Sequence, residues 1–216
     1  LEITYKIQNE PNGIAAAFII GSDFIKNDNV ALILGDNIFY GINFDNSLII
    51  DENAFNGAKI FAYKVPDPQR YGVVEIVNNK VISIEEKPKN PKSNLVATGL
   101  YFYDNSVVKI SKQIKPSHRN ELEITDVNKV FLESNNLDAT ILKQGMVWLD
   151  AGTANSLLQA SHYVQTIQER QSIQIGCPEE LAFKKKLISK NEFEKLAINS
   201  PNNSYGDYLR EIIKNS

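Results

Sequence analysis

Two aspartates stand where an α/β protein would place them for metal chemistry. Asp36 closes the apolar run Val30-Ala31-Leu32-Ile33-Leu34-Gly35-Asp36-Asn37, and Asp150 closes Trp148-Leu149-Asp150 ahead of Ala151-Gly152-Thr153. Ligands of open α/β sheets bind beyond the carboxyl ends of the strands. Carboxylates at two such ends supply hard oxygen to Mg²⁺, while substrate phosphates and water complete the octahedron. Each aspartate is equally placed to cap a following helix.

Glu85-Glu86-Lys87-Pro88 packs opposite charges beside a rigid proline at the end of another apolar segment. It reads as a surface charge cluster, or as Glu86 accepting from sugar hydroxyls with Lys87 as a point-charge phosphate ligand. Tyr71-Gly72 follows the turn Pro66-Asp67-Pro68. Glycine lets a backbone come close to a ligand there, though the pair equally opens a strand. Arg119, ahead of Glu121-Leu122-Glu123, is an ordinary surface arginine unless a phosphate lies near. The Gln8 amide, with Gly13 following, offers donor and acceptor together to a nucleobase edge, or is merely solvated at a strand end. His118, His162 and Cys177 show no ligand spacing. Cys177 before Pro178 reads as a small core residue, and no Ser/His/Asp arrangement is arguable.

The elements that must hold these residues follow from pattern. Leu1, Ile3, Tyr5 and Ile7 alternate as a half-buried strand, Asn9 to Gly13 turns, and Ile14 to Ile25 is helical with a break at Gly21. The run 30–34 predicts a strand buried on both faces, and helical segments on either side predict a parallel sheet. Lys59–Val65, Val73–Val77, Val81–Glu85, Val96–Tyr103 and Leu137–Leu142 read as further strands, with Asn78-Asn79 as a hairpin turn. Thr125–Leu132 starts a helix. Beyond residue 153 the pattern becomes all-helical: Ala154–Gln171, Pro178–Lys186, Lys190–Ala197 and Tyr205–Lys214. The expected organisation is a mixed α/β core over 1–153 with a mostly parallel central sheet, then a helical appendage over 154–216.

Composition narrows the function classes. The chain has 216 residues, 23 Lys+Arg and 26 Asp+Glu, for a net charge of −3. Basic residues dispersed among more numerous acids do not suit a nucleic-acid backbone, whereas a small phosphorylated ligand needs only a few placed cations. The single cysteine cannot form an intrachain disulfide and fits a cytoplasmic protein. No run is long and apolar enough to predict a membrane span, and no signal peptide is legible at the start.

Taken as an ordered set, Gln8…Pro11-Asn12-Gly13-Ile14-Ala15, Leu34-Gly35-Asp36-Asn37, Asp67-Pro68-Gln69-Arg70-Tyr71-Gly72-Val73-Val74, Glu85-Glu86-Lys87-Pro88, Thr98-Gly99-Leu100-Tyr101-Phe102-Tyr103-Asp104, Glu121-Leu122-Glu123-Ile124-Thr125-Asp126 and Trp148-Leu149-Asp150 resemble the glucose-1-phosphate thymidylyltransferase family of sugar nucleotidyltransferases. The resemblance spans nearly the whole chain. It implies the Rossmann-like fold of nucleotide-diphospho-sugar transferases, dTTP and glucose 1-phosphate as substrates, Mg²⁺ as cofactor, a role in dTDP-rhamnose synthesis and a homotetramer. By the same resemblance Gln8 and the Gly13 backbone read thymine, Asp36 and Asp150 hold Mg²⁺, and Tyr71, Gly72 and Glu86 line the sugar site. Lys87 and Arg119 grip the sugar phosphate, and Trp148 packs beside it. The family's opening strand and glycine-rich triphosphate loop do not precede Leu1, so the chain reads as a truncated, inactive fragment. Ala97 replaces the usual valine, Asn120 a glycine, and Ile42 a histidine common near the regulatory site.

Overall fold

The structure, a computed structural model, describes residues 2–41, 44, 48 and 55–215. Leu1 and Ile42 lie outside the described residues. The chain divides into two compact units, Leu1–Asp150 and Ala151–Ser216.

The first unit is mixed α/β. Helices α1 (Ala16–Ile20) and α2 (Ser22–Ile25) are separated by Gly21, as the sequence predicts. Strands β1 (Val30–Ile33), β2 (Asn37–Gly41) and β3 (Ala58–Lys64) follow. A short 3₁₀ turn at Pro68–Arg70 leads into β4 (Gly72–Val77), β5 (Lys80–Glu86) and β6 (Leu95–Tyr103). Then come α3 (Ser106–Gln113), α4 (Ile124–Glu133), β7 (Leu137–Ile141) and β8 (Met146–Asp150).

The main sheet runs β5-β4-β6-β3-β7, with β1 also paired to β6, while β2 and β8 form a separate ribbon. Among the described pairings β3–β7 is parallel, from Ala58↔Leu137 to Ala62↔Ile141, and the others are antiparallel. The expected mostly parallel sheet is therefore corrected, within a mixed α/β fold that stands. The cause is connectivity: Asn78 and Asn79, at φ 50° and 61°, make a two-residue turn between β4 and β5, and strands joined by such a turn must run antiparallel.

The expectation that 30–34 is buried on both faces also fails. β1 is half-covered, with Ile33 60% exposed, because a short apolar run does not reveal how many faces it covers. Glu2–Gln8 forms no strand, and Ile3, Tyr5 and Ile7 are exposed. Alternation supplies an apolar face but no ladder partner. Neither β2 nor α3 is predicted by the side-chain pattern. The α3 start does carry a local signal, since the Asp104 carboxylate accepts from the Ser106 N–H at 2.9 Å.

Alternation along β3 and β6 splits the core. Ile60, Tyr101 and Tyr103 face α1, α3 and α4, where Phe18 meets Tyr103 edge to face at 5.2 Å. Phe61, Leu100 and Val96 face the other way, toward Met146 and Trp148 of the β2–β8 ribbon. That second face carries the candidate site.

The second unit holds α5 (Ala154–Gln171), α6 (Pro178–Lys184), α7 (Lys190–Asn199) and α8 (Ser204–Lys214). Reciprocal capping boxes at Thr153/Ser156 and Ser189/Glu192 start α5 and α7. Cys177, Phe193, Ala197 and Leu209 form its core, which agrees with the reading of Cys177 as a packing residue. No helix among the described residues is long and apolar enough to cross a membrane.

Two tyrosines rivet α6 to α8: Tyr205 hydroxyl donates to Glu179 and Tyr208 hydroxyl donates to Glu180 at 2.7 Å. Burial raises both hydroxyl pKa values, with the hydrogen bonds to Cys177 and Glu179 or to Glu180 adding to it, and Tyr208 is pushed up to about 12. A phenol whose folded pKa is raised contributes stability below its unfolded value, near 10, and loses it as pH rises through the folded value. We expect the thermal midpoint followed by circular dichroism to fall between about pH 10 and 12, and to fall less steeply in Tyr208→Phe.

Candidate active site

Pairing of β2 with β8 sets Asn37 opposite Asp150. Asp36, one residue before β2, is thereby brought to the same end of the ribbon as Asp150. Asp36 is exposed and Asp150 half-buried. Asp36 Oδ1 accepts from Asn37 Nδ2 at 2.7 Å, and the Tyr71 hydroxyl is hydrogen-bonded to Asp150. Neither aspartate caps a helix: β2 follows Asp36, and the α5 cap is Thr153.

Trp148 lies one turn of pleat from Asp150, on the core side of β8. It is 8% exposed and meets the rings of Tyr71 at 5.2 Å and Tyr63 at 5.9 Å. Arg70 lies over the Tyr71 ring at 5.3 Å and pairs with Asp67 at 3.0 Å. Its pKa is raised by the Asp67 hydrogen bond, and the Asp150 charge contributes in the same direction. Burial raises the Tyr71 pKa, Arg70 opposes that rise and Asp150 adds to it. Nothing in the sequence marks Arg70 as part of the site, since an arginine beside a proline turn is ordinary.

The hairpin brings together the residues expected to line the sugar site. Gly72 pairs with Glu86 across β4 and β5, and the Lys87 N–H donates to the Tyr71 carbonyl at 3.0 Å. A Cβ on Gly72 would come 3.0 Å from Thr125 Oγ1 and 3.4 Å from Glu86 Oε2, so the small residue lets α4 close on the strand. The Thr125 hydroxyl donates to Glu86. Lys87 Nζ lies 3.9 Å and Arg119 Nη1 3.6 Å from Glu86 Oε1.

Arg119 is more engaged than the sequence suggests. Its Nη2 donates to both Glu121 oxygens, at 2.9 and 2.8 Å, and Nη1 lies 3.6 Å from Glu123. Asn120 has φ 59°, a conformation that favours glycine and that asparagine tolerates. The departure from glycine at that position is therefore accommodated.

Gln8 Nε2 donates to Asn12 Oδ1 at 2.7 Å and to the Gly13 carbonyl at 3.2 Å. Gly13, at φ 107°, lies so close to Leu122 that a Cβ would meet its backbone at 2.4 Å. The Gln8/Gly13 turn is thus tied to the segment that carries Arg119 and Glu121, through Leu122 N–H to Asn12 carbonyl at 2.7 Å.

The donor set suits a hard cation. Asp36 and Asp150 offer carboxylate oxygens at one ribbon end, and no cluster of three or more His, Cys, Asp or Glu that could hold a metal exists among the described residues. Two carboxylates leave most of an octahedron to phosphate and water, which is how Mg²⁺ is ordinarily held at phosphoryl-transfer sites. Asn37 accepts from Trp148 and Thr125 donates to Glu86, and sequence reasoning misses both contacts because the partners lie far away along the chain.

The chain matches the nucleotidyl transferase family over residues 1–167. It is 49% identical over 215 residues to a glucose-1-phosphate thymidylyltransferase of Neisseria meningitidis, covering 99% of this chain and 75% of that protein. A Mycolicibacterium smegmatis protein of the same name is 47% identical over 214 residues, covering 99% of this chain and 74% of that protein. Among solved structures, one assigned as a glucose-1-phosphate thymidylyltransferase from Bacillus anthracis, in complex with sucrose, superimposes with a TM-score of 0.65 at 42% identity, over 74% of this chain and 64% of that one. A family match running from the first residue through the β2–β8 ribbon into α5, joined to relatives nearly half identical along the whole length, makes this chain a member of the nucleotidyl transferase family.

Proposed function

We propose that the protein acts as a glucose-1-phosphate thymidylyltransferase, transferring dTMP from dTTP to glucose 1-phosphate with release of pyrophosphate. The observation that carries this reading is the β2–β8 register, which sets Asp36 and Asp150 at the same end of the ribbon, in the same unit as the Glu86-Lys87-Arg119 cluster. A phosphate oxygen of glucose 1-phosphate attacks the α-phosphorus of dTTP; the bond from that phosphorus to the β-phosphate oxygen breaks, and pyrophosphate leaves with the electron pair. No covalent step falls to the protein, whose task is to align two anions and offset their repulsion.

Lys87 and Arg119 receive the sugar phosphate, and Glu86, held by Thr125, accepts from sugar hydroxyls. Trp148 and Tyr71 form the apolar wall, and Gln8 with the Gly13 backbone meets the base. Asp36 and Asp150 would hold Mg²⁺, which when bound supplies positive charge to the phosphates. The product would feed dTDP-rhamnose synthesis.

Pyrophosphate release tests the proposal, assayed on the protein expressed from its full reading frame with each common nucleoside triphosphate and each of several hexose 1-phosphates. The pair dTTP and glucose 1-phosphate is expected to give the highest kcat/KM. A preference for another nucleotide or sugar would place the protein with a different sugar-nucleotide pyrophosphorylase.

A further inference from the structure

Glu123 is the one charged residue buried among the described residues, at 7% exposed, and a carboxylate is rarely buried without a partner. It stands at the N-terminal boundary of α4, yet its side chain caps no helix N–H. Oε1 instead accepts from the Ser117 hydroxyl at 2.8 Å and lies 3.6 Å from Arg119 Nη1. The Ser117 oxygen in turn accepts from the Arg119 N–H at 3.1 Å. A hydroxyl has one proton to give and lone pairs to receive. With its proton committed to Glu123, Ser117 meets the Arg119 N–H with a lone pair. One carboxylate thereby holds Arg119 twice, at the guanidinium directly and at the backbone through Ser117.

Arg119 needs such an anchor because it projects from a tight turn. Asn120 N–H donates to the Ser117 carbonyl and Ser117 N–H to the Glu121 carbonyl, each at 2.9 Å, with Asn120 at φ 59°. A long side chain leaving a turn surrenders rotamer freedom when it meets a phosphate, and a fixed partner removes part of that freedom beforehand. Glu121 plays a different part. It is more exposed than Glu123 and takes Nη2 through both oxygens, so it occupies a donor that a phosphate would use. The Glu123 contact is too long for a hydrogen bond and orients Nη1 without occupying it.

We propose that Glu123 is a positioning residue that fixes the backbone and the guanidinium of Arg119 for an incoming phosphomonoester. Its functional meaning rests on the reading of Arg119 as a ligand of the sugar phosphate. Its structural content is testable separately.

If charge alone mattered, taking an anion away from a phosphate site would tighten binding. Positioning has the opposite sign. In the protein expressed from its full reading frame, Glu123→Gln is expected to raise KM for glucose 1-phosphate about tenfold, with KM for dTTP near the parental value. Ser117→Ala, which cuts only the backbone link, should raise it less. Neither substitution should raise it further in an Arg119→Ala background.

Labelling with phenylglyoxal, with modified arginines located by peptide mass mapping, reads the same guanidinium without turnover. Arg119 should be labelled several times faster in Glu123→Gln than in the parent, while Arg70 and Arg210 keep their parental rates and so report a folded variant. If Glu123→Gln does not fold, Ser117→Ala carries the same comparison. Glucose 1-phosphate is expected to protect Arg119 from labelling in the parent. Where that protection is seen, an unchanged or lowered KM in Glu123→Gln overturns the positioning role, and parental labelling of Arg119 overturns it in either case. Absence of protection overturns the ligand reading instead, and the labelling rates still decide the role of Glu123.

Discussion

In the protein expressed from its full reading frame, Asp36→Asn and Asp150→Asn are each expected to lower the rate of pyrophosphate release by about a hundred- to a thousandfold, the usual loss when one electrostatic contact to the transition state is removed. The two carboxylates share a ribbon end because Asn37 and Asp150 are register partners. Each substitution keeps the shape and one oxygen acceptor. The amide oxygen at position 36 still accepts from Asn37, and the one at position 150 still accepts from Tyr71, so the bonds that hold the ribbon persist. The thermal midpoints should accordingly stay near the parental value while turnover falls. Removing Mg²⁺ from the parent with a chelator should reproduce the loss. Near-parental rates for both variants at saturating Mg²⁺ would show that the pair does not hold the metal.

Lys87→Ala is expected to weaken glucose 1-phosphate binding by about ten- to hundredfold, the value of one charge-assisted contact of about 1.5 to 3 kcal/mol. The Lys87 ammonium is exposed, and its ion pair with Glu86 is long, at 3.9 Å. Little is given up when a phosphate takes its place. Arg119 differs: its guanidinium already bonds both Glu121 oxygens and lies near Glu86 and Glu123, so part of its gain from phosphate is offset by the contacts released. Arg119→Ala should therefore cost less affinity than Lys87→Ala, and Glu121→Gln, which frees the guanidinium, should tighten binding. Lys87 sits at φ 43°, a strain that alanine inherits, so the folded state is little changed. Calorimetry with glucose 1-phosphate is the measurement, and parental affinity in Lys87→Ala would return the lysine to an exposed surface charge.

Features decided within a few residues are legible in the amino-acid sequence by itself. The Asn78-Asn79 hairpin, the Gly21 break, the 154–171 helix and the strand cores of β3, β5 and β6 all depend on local turn chemistry and on side-chain period. The candidate site residues are legible as residue types for the same reason: a carboxylate or a cation at a strand end is visible in one dimension. Glu86, Lys87, Tyr71 and Gly72 can be grouped further, because a short hairpin fixes their neighbourhood.

What only the tertiary structure decides is pairing across long separations. Apolar runs do not state strand direction or the number of covered faces, so β1 reads as a doubly buried parallel strand and is instead a half-exposed one paired antiparallel to β6. The alternation of residues 1–7 likewise cannot say that no strand pairs with Glu2–Gln8. Asn37 is the clearest case. Its polar side chain reads as ordinary in sequence, and its significance comes from Trp148, 111 residues away, and Gly99, 62 residues away. A hydrogen bond constrains atoms within about 3 Å of each other in space and leaves no periodic mark along the chain, so only the folded register of β2 on β8 could reveal it.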